Sequence, residues 1–299
     1  MKGSILRYRG SAGIVYRVVL TLLPIAFVSI SAAAQAKAGQ ETRIEPQGTA
    51  EPDLINPDRP GIADGSNVIG GGRLQAETGI QQEFRREGQD REHTLFLPTL
   101  LRFGISSRWE ARVESNTFTR TLTLAPANPA SPASGLGPVS FGFKYHIQDS
   151  KGVRHPSLGT IVRVFPASGS GDFHSNHVVA DFRLAADWDF APKFSLNPNL
   201  GVVRGEDDQG KTFPALLSAV TLSYAPTRKF SPFIDIGLQA PEVKKGETAL
   251  IFDAGLAYIV GHNVQLDASV GNGVHGTTPP RPFLSAGFSI RSSPWGHQK

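Results

Sequence analysis

Charged side chains that alternate with apolar ones are the residues of this chain best placed to do chemistry. Glu110, Arg112 and Glu114 are separated by single apolar residues, and Asp181 and Arg183 repeat the spacing. Because side chains on a strand alternate between its two faces, this spacing gathers the charges on one face. Charges of both signs on an enclosed face can pair with one another or line a water path, without covalent chemistry. We predict that the following residues line such an interior: Arg73, Glu77, Arg102, Glu110, Arg112, Glu114, Lys144, Arg163, Asp181, Arg183, Asp235, Asp253 and Asp267.

The stretch 249–273 shows the alternation most clearly. Apolar residues occupy every second position over Phe252–Tyr258 and again over Val264–Val270, with a short polar break between the two runs. A break of this length predicts a β-hairpin. The polar face carries Asp253 and Asp267, which a dry sandwich core would not tolerate unpaired. A wall with lipid on one side and water on the other accepts both faces, so the pattern favours a membrane β-barrel.

The first 36 residues have the composition of a secretory signal peptide. Basic residues precede the apolar run Val18–Val28, and small residues lead to an Ala-x-Ala site that ends at Ala34 or Ala36. A transmembrane anchor is the alternative, but the apolar run is short for a bilayer span of about 20 residues and contains Pro24. We therefore predict cleavage of residues 1–36 and location of the mature chain in the bacterial outer membrane.

Charge and cysteine content narrow the function. The chain has 30 basic and 26 acidic residues; four basic and no acidic residues lie in the predicted signal, so the mature chain carries 26 of each. The basic character of the whole chain therefore gives no reason to expect nucleic-acid binding. The sequence has no cysteine, which excludes disulfides and thiolate metal sites.

Residues 37–70 are polar and rich in proline and glycine, which predicts an irregular N-terminal arm. Two alternatives stay open for this arm. It is either a disordered leader, or a plug in which Asp58-Arg59-Pro60 docks in the mouth or lumen of the barrel. In the second case Asp58 and Arg59 are the docking residues.

Alternating runs recur through the rest of the chain and predict about twelve strands, an even number as single-chain bacterial barrels require. Long connections such as Leu122–Pro138 and Pro166–Asn176 lie between short ones such as Ala191–Lys193. Long loops at one end and short turns at the other are typical of outer-membrane barrels. The run Thr94–Ile105 fits poorly, because both of its faces are apolar and Pro98 cannot donate a ladder hydrogen bond. It predicts either a bulge or apolar side chains that enter the interior.

Two motifs could bind a nucleotide or a metal. Gly271–Gly276 has the spacing of a dinucleotide fingerprint, but Thr277–Pro280 cannot open the helix whose N-terminus would cradle phosphate, so we interpret the motif as a loop. Asp172, His174 and His177 could supply metal ligands, but glycines and a strand flank them, and solvated loop side chains are the better interpretation. We therefore predict no cofactor and no bound metal.

A barrel hydrolase would need a serine, a histidine and an acid within hydrogen-bond reach of one another. His146 is the histidine that alternation places clearly on the interior face, and the sequence places no serine beside it. We therefore expect a protein that is not an enzyme.

Several short strings resemble the outer-membrane family associated with the meta-cleavage pathway of phenol degradation, whose members are regarded as transporters. The resemblance spans about residues 54–291 and rests on Asp58–Pro60, Gly72–Gly79, Arg102–Ile105, Trp109–Arg112, Gly142–Tyr145, Asp253–Tyr258 and Asn263–Asp267. It implies a barrel of about twelve strands with a channel role, small aromatic or apolar solutes and no catalytic residues. The chain departs from the usual outer-membrane pattern at its end, because no terminal aromatic follows Arg291 and the chain runs on to Lys299.

The sequence thus predicts an all-β protein, a closed antiparallel transmembrane β-barrel of about twelve strands over residues 71–291, with a tail over 292–299. The predicted function is a passive channel for small-molecule solutes, with outer-membrane lipid as the surrounding partner. A sealed structural or sensing barrel and a lipid-modifying barrel hydrolase are the alternatives, and a soluble periplasmic sandwich is a weaker one. The oligomeric state does not follow from the sequence.

Overall fold

The computed structural model describes residues 53–126, 128–206, 211–239, 248–276 and 279–295. The predicted signal peptide, the beginning of the predicted arm and the last four residues lie outside these ranges. In the described part of the chain, no helix has the length and hydropathy needed to cross a membrane.

Thirteen strands over the described residues form one antiparallel sheet that closes on itself. The last strand pairs with the first, from Gln75 opposite Arg291 to Glu83 opposite Phe283. Closure leaves no long edge of unpaired backbone groups, which is the condition for a sheet in lipid. The strands are β1 Leu74–Glu87, β2 Asp90–Gly104, β3 Trp109–Ala125, β4 Asn128–Gly135, β5 Val139–Gln148, β6 Ser157–Phe165, β7 Val179–Ala191, β8 Phe194–Glu206, β9 Thr212–Tyr224, β10 Phe230–Gln239, β11 Ala249–Gly261, β12 Val264–His275 and β13 Phe283–Arg291.

β4 and β5 are two halves of one interrupted strand. β4 runs beside one half of β3, with Gly135 opposite Thr119, and β5 continues beside the other half, with Val139 opposite Ser115. The register is the same in both halves, because the four-residue step from Gly135 to Val139 matches the four-residue step from Thr119 back to Ser115 on β3. The closed wall formed by the described residues therefore has twelve strands, as predicted. The interpretation of 122–138 as a loop is wrong, because β3 runs to Ala125 and the proline- and serine-rich β4 is a strand by virtue of its pairing.

The two ends of the barrel differ in their connections. Residues 192–193 and 262–263 form short turns at one end, called here the turn end. Residues 166–178 form a long connection at the other end, called here the loop end. These three connections agree with the predicted asymmetry, although residues 149–156 make a longer connection at the turn end and residues 88–89 make a short turn at the loop end.

The outer surface is apolar, because every strand turns alternate side chains outward. On β5, Phe141 and Phe143 are 56% and 53% exposed, whereas the neighbouring Lys144 is fully buried. Leu184 and Leu266 are also about half exposed on other strands. Apolar groups outside and charges inside are the arrangement that a bilayer requires of a barrel wall.

Pro98 lies beside a bulge in β3. The pairing passes from Phe96 opposite Thr119 to Pro98 opposite Asn116, two residues along β2 but three along β3, so the extra residue belongs to β3. Between β1 and β2, two residues on each strand are left unpaired between the pair Thr78–Thr99 and the pair Gln81–Phe96. Proline has no N–H to donate to a neighbouring strand, so the ladder is interrupted around it. Both sequence-based alternatives are found, because the register shifts at Pro98 and because Leu100 and Phe96 border interior cavities beside Glu114 and Glu83.

Residues 249–273 form the predicted hairpin, with Ala254 on β11 opposite Val270 on β12. β12 extends to His275, so the interpretation of the glycine motif as a loop is wrong for Gly271 and Gly273, which are strand residues. A Cβ added at Gly271 would lie 2.1 Å from the ring of Phe283. The glycine therefore gives space to an aromatic side chain inside the wall.

The chain continues past the last strand. Ser292 N–H donates to the carbonyl of Leu74 at 2.7 Å, and Trp295 N–H donates to the carbonyl of Gly72 at 2.7 Å. The backbone pairing of β13 with the start of β1 is thus prolonged beyond Arg291. Trp295 is 57% exposed, so an exposed aromatic side chain follows the last strand after a short extension.

Candidate functional site: the lumen and the inserted arm

Residues 53–73, called here the inserted arm, enter the barrel from the turn end and return to it. Ile55 N–H donates to the carbonyl of His262, in the turn between β11 and β12, at 2.7 Å. Gly72 N–H donates to the carbonyl of Gly104, at the end of β2, at 2.9 Å. Between these two points the arm contacts the inner faces of several strands.

Asp58 lies at the centre of a cluster of wall cations. Its Oδ2 accepts hydrogen bonds from Arg112 Nη1 at 2.7 Å and Lys144 Nζ at 2.8 Å, and lies 3.7 Å from Arg102 Nη1. The three cationic side chains are at most 1% exposed. Gly65 N–H donates to Asp58 Oδ1 at 2.9 Å, which folds the arm back on itself. Buried charges of this kind are tolerated because they are paired.

Wall carboxylates hold the same cations from the other side. Arg102 donates to both oxygens of Glu110, at 2.7 and 2.9 Å, and to Glu77 at 3.0 Å. These side chains come from β2, β3 and β1, which are neighbours in the sheet. Arg102 also donates to the carbonyl of Asn67 at 3.1 Å, so the wall binds the backbone of the arm as well.

Asp64 is the second carboxylate that the arm presents to the basic side of the wall. Its Oδ1 accepts from Arg112 Nη2 and its Oδ2 accepts from Arg183 Nη1, both at 3.1 Å. The backbone of Asp64 exchanges two hydrogen bonds of 2.9 Å with the amide of Asn199. Arg163 donates to both oxygens of the neighbouring Asp181, at 3.1 and 2.9 Å, and completes this side of the network.

Arg59 turns the other way, toward β12 and β13. Its Nη2 donates to Asp267 Oδ1 at 2.9 Å and to Ser285 Oγ at 3.2 Å. Successive side chains of an extended segment point in opposite directions, so the Asp58–Arg59 pair presents opposite charges to different parts of the wall. A Cβ added at Gly287 would lie 2.4 Å from Arg59 Nη2. This glycine therefore leaves the space that the guanidinium occupies.

The returning part of the arm is held by Asp187 of β7. The N–H and the hydroxyl of Ser66 and the amide of Asn67 all donate to Asp187 Oδ2, at 2.9, 2.5 and 3.0 Å. His146 contacts the same part of the arm, with Nδ1 at 3.3 Å from the carbonyl of Ser66 and Nε2 at 2.9 Å from Asp149. The hydroxyl of Ser66 donates to Asp187 and not to His146.

The carboxyl groups of the arm are ionised because of the wall cations. Burial disfavours the charged form of Asp58, but the cations of its cluster outweigh burial and hold the pKa of this carboxyl far below its usual range. Burial also opposes the ionisation of Asp64, and the charges of Arg112, Arg163 and Arg183 nevertheless lower its pKa to about 2. The arm is therefore held by charged groups at neutral pH.

The predicted lining residues fall into three groups. Glu114 and Arg183 are partly exposed, with about one fifth of the side chain accessible. Arg73 is the last residue of the inserted arm, directly before β1, and contacts Asp53 at the beginning of the arm. The others are buried wall residues: Glu77, Arg102, Glu110, Arg112, Lys144, Arg163, Asp181, Asp235, Asp253 and Asp267.

Several cavities border the arm, and two of them lie toward opposite ends of the barrel. The turn-end cavity, of about 350 Å³, is bordered by the arm residues Pro60 and Gly61 and by polar wall residues such as Asn197. The loop-end cavity, of about 380 Å³, is bordered by Ile62 of the arm and by a mostly apolar wall. That wall includes Phe165, Val179, Val203, Leu217, Leu238 and Ile251.

The loop residues considered as metal ligands are not gathered into a site. Asp172 lies in the short 3₁₀ helix Gly171–Phe173 of the 166–178 connection, and His174 Nδ1 lies 3.2 Å from the carbonyl of Gly169. Among the residues that the structure describes, no three of His, Asp and Glu are grouped to hold a metal ion.

Five site residues are not among the predicted lining residues: Asp64, Ser66, Asn67, Asp187 and Asn199. Asp187 alternates with apolar neighbours on β7, which is a signal that it faces inward. The arm residues carry no periodic signal, because the arm has no regular secondary structure. Their role follows only from their contacts with the wall.

The sequence matches a family model described as "Putative MetA-pathway of phenol degradation" over residues 57–292. The fold is similar to that of an outer membrane channel from Pseudomonas putida F1, with a TM-score of 0.58 at 12% identity over 76% of this chain and 98% of that one. It is also similar to the beta domain of a Bordetella autotransporter, with a TM-score of 0.50 at 15% identity over 73% of this chain and 99% of that one. No curated protein sequence matches significantly. Because the family match covers most of the chain, the protein belongs to this phenol-degradation family, which confirms the resemblance found in its sequence strings.

Proposed function

We propose that the protein is a passive channel for small solutes in the bacterial outer membrane. The observation that carries the proposal is that cavities border the inserted arm toward both ends of the barrel. The family description and the barrel fold shared with an outer membrane channel support the same role. Passage through such a lumen needs no covalent chemistry, and paired charges in the wall tune its selectivity.

The loop-end cavity supports a small aromatic or apolar solute. Its volume of about 380 Å³ is within the usual range of small-molecule sites, about 300–1,000 Å³. Apolar side chains such as Phe165 and Leu217 form most of its wall, and the polar groups Arg183 and Asn199 border it where the arm docks. A phenolic compound, with an apolar ring and one hydroxyl, suits this combination.

A sealed structural barrel is the second candidate, and the ion pairs of the arm favour it. Asp58, Asp64 and Arg59 each bind wall residues and together cross-link the lumen. A twelve-stranded barrel is also narrow beside the 16- to 18-stranded porins. The two candidates differ in whether the docked arm leaves a passage.

Planar-bilayer recording of the refolded mature protein, residues 37–299, tests the proposal. Discrete conductance steps, together with phenol entry into proteoliposomes that is faster than into vesicles of the same lipid without protein, are the expected results. Heat-denatured protein reconstituted in the same way is the control. A correctly folded barrel that gives neither steps nor solute entry contradicts the channel and favours the sealed barrel.

A further inference from the structure

Asp235 and Asp253 form a pair of buried carboxyl groups outside the ion-pair network of the arm. They lie directly opposite each other on β10 and β11, and each is 2% exposed. Among the described residues, neither takes part in an ion pair, and the Oδ1 atom of each lacks a hydrogen-bond partner. Like charges directly opposite in a sheet are destabilising, so this pair either shares a proton or binds a positive partner that the described wall residues do not supply.

The pair lies between the two cavities. On the inner face of β10, Phe233 borders the turn-end cavity and Gly237 borders the loop-end cavity, with Asp235 between them. On β11, Ala257 borders the turn-end cavity and Ile251 the loop-end cavity, and Asp253 again comes between. A solute that moves from one cavity to the other along this side of the lumen passes both carboxyl groups.

The arm narrows the lumen at the same point. Ile62 N–H donates to Asp235 Oδ2 at 2.9 Å. A Cβ added at Gly61 would lie 3.2 Å from Asp235 Oδ2 and 3.2 Å from Thr221 Oγ1, so both oxygens point toward the arm at this residue. Thr221 is 7% exposed, and its hydroxyl has no hydrogen-bond partner in the described part of the chain. Three side chains with unsatisfied oxygen atoms thus meet at the constriction.

We propose that Asp235, Asp253 and Thr221 form a binding site for a small monovalent cation, which makes the passage between the two cavities cation-selective. The selectivity rests on the proposed channel function, whereas the binding site does not. Carboxylate and hydroxyl oxygens are ligands for hard cations, and carboxylate rings select cations in pores. Arg183 borders the loop-end cavity, but its charge is already paired with Asp64 and Asp181.

Ion selectivity is the first test. Reversal potentials in a KCl gradient give the permeability ratio of K⁺ to Cl⁻, and we expect it to exceed one in the unmodified protein. A unit charge about 4 Å from an ion contributes about 1 kcal/mol even at the dielectric constant of water, so Asp235→Asn and Asp253→Asn should each lower the ratio by about fivefold. Asp90→Asn, the same change at an exposed turn, is the matched control and should leave the ratio unchanged.

Cation binding can be measured without any conductance. A ligand that binds only the folded state raises its stability, so KCl should raise the unfolding temperature more than choline chloride at equal ionic strength. This difference should vanish in the Asp235→Asn/Asp253→Asn double variant and shrink in Thr221→Val, which keeps every charge. Migration of unheated and heated samples in gels verifies that each variant is folded.

The outcomes separate this inference from the proposed function. A silent barrel that still shows the K⁺-specific stabilisation supports the cation site and contradicts the channel. A conducting barrel whose K⁺ to Cl⁻ ratio is unaffected by both asparagine variants overturns the site and indicates that the two carboxyl groups share a proton. Equal stabilisation by potassium and choline salts in the unmodified protein also overturns it.

Discussion

Asp58→Asn tests how strongly the inserted arm is held. The substitution preserves the size of the side chain and removes its charge. Arg102 and Arg112 keep Glu110 and other carboxylates as hydrogen-bond partners. Lys144 keeps the carbonyl of Asn67 at 3.4 Å as its one remaining described hydrogen bond, and Glu110 opposite it in the sheet as a neighbouring charge. Removal of one partner of a buried ion pair costs about 3–5 kcal/mol. At about 1.4 kcal/mol per tenfold change, the fraction of molecules with an undocked arm should rise about 10²- to 10⁴-fold.

Thiol labelling can measure this change, because the chain contains no cysteine. Ala63 of the arm is 7% exposed, so Ala63→Cys should react with a water-soluble maleimide mainly when the arm is undocked. The labelling rate should rise in the Asp58→Asn background and stay unchanged with Asp90→Asn, which alters an exposed turn. Adding Lys144→Met to Asp58→Asn removes the ammonium group that has lost its carboxylate partner. The labelling rate should then fall part of the way back toward that of the unmodified arm.

A rise in labelling of less than about tenfold, or no recovery with Lys144→Met, would refute the electrostatic account. The arm would then be held mainly by its backbone contacts, such as the N–H of Ile55 to the carbonyl of His262.

Three further predictions concern the arm and the loop-end cavity. Because the pKa values of Asp58 and Asp64 are lowered in the folded protein, their stabilisation of the docked arm is complete above the ordinary pKa of about 4. This stabilisation is lost as the pH falls through the folded-state pKa, which is about 2 for Asp64. Hydrogen–deuterium exchange of arm peptides, corrected for intrinsic rates, should therefore change little from neutral pH to pH ~5 and rise steeply toward pH ~2. Gly287→Ala places a methyl group against the guanidinium of Arg59 and the backbone carbonyl of Thr78, and it should destabilise the folded protein by about 1–3 kcal/mol in thermal unfolding. A change below about 0.5 kcal/mol would mean that both neighbours move aside freely. Leu217→Trp fills part of the loop-end cavity and should slow phenol entry into proteoliposomes without loss of folding, and unchanged entry would place the solute path elsewhere.

The sequence predicts the wall better than it predicts the arm, for a physical reason. The wall is periodic, so alternation alone assigns Lys144 to a polar face. In the structure this lysine is buried and donates a hydrogen bond to Asp58. Periodicity cannot choose a partner, and nothing in the sequence pairs Asp64 with Asn199. β4 was missed for a related reason, because residues 128–135 are small and proline-rich and are a strand only through their pairing with β3.

The charges of the arm complement an uneven wall. Buried arginines and a lysine gather on β2, β3, β5 and β6, and the arm meets them with Asp58 and Asp64, whereas it offers Arg59 to Asp267 of β12. The arm and the wall carboxylates therefore neutralise the basic side of the lumen together, while Asp235 and Asp253 receive no cation from the described part of the arm. In the proposed channel, the docked arm has two effects. It narrows the lumen, and it covers the positive part of the wall, so that carboxyl groups border the passage along β10 and β11. Arm docking and cation selectivity are then two consequences of the same distribution of charge.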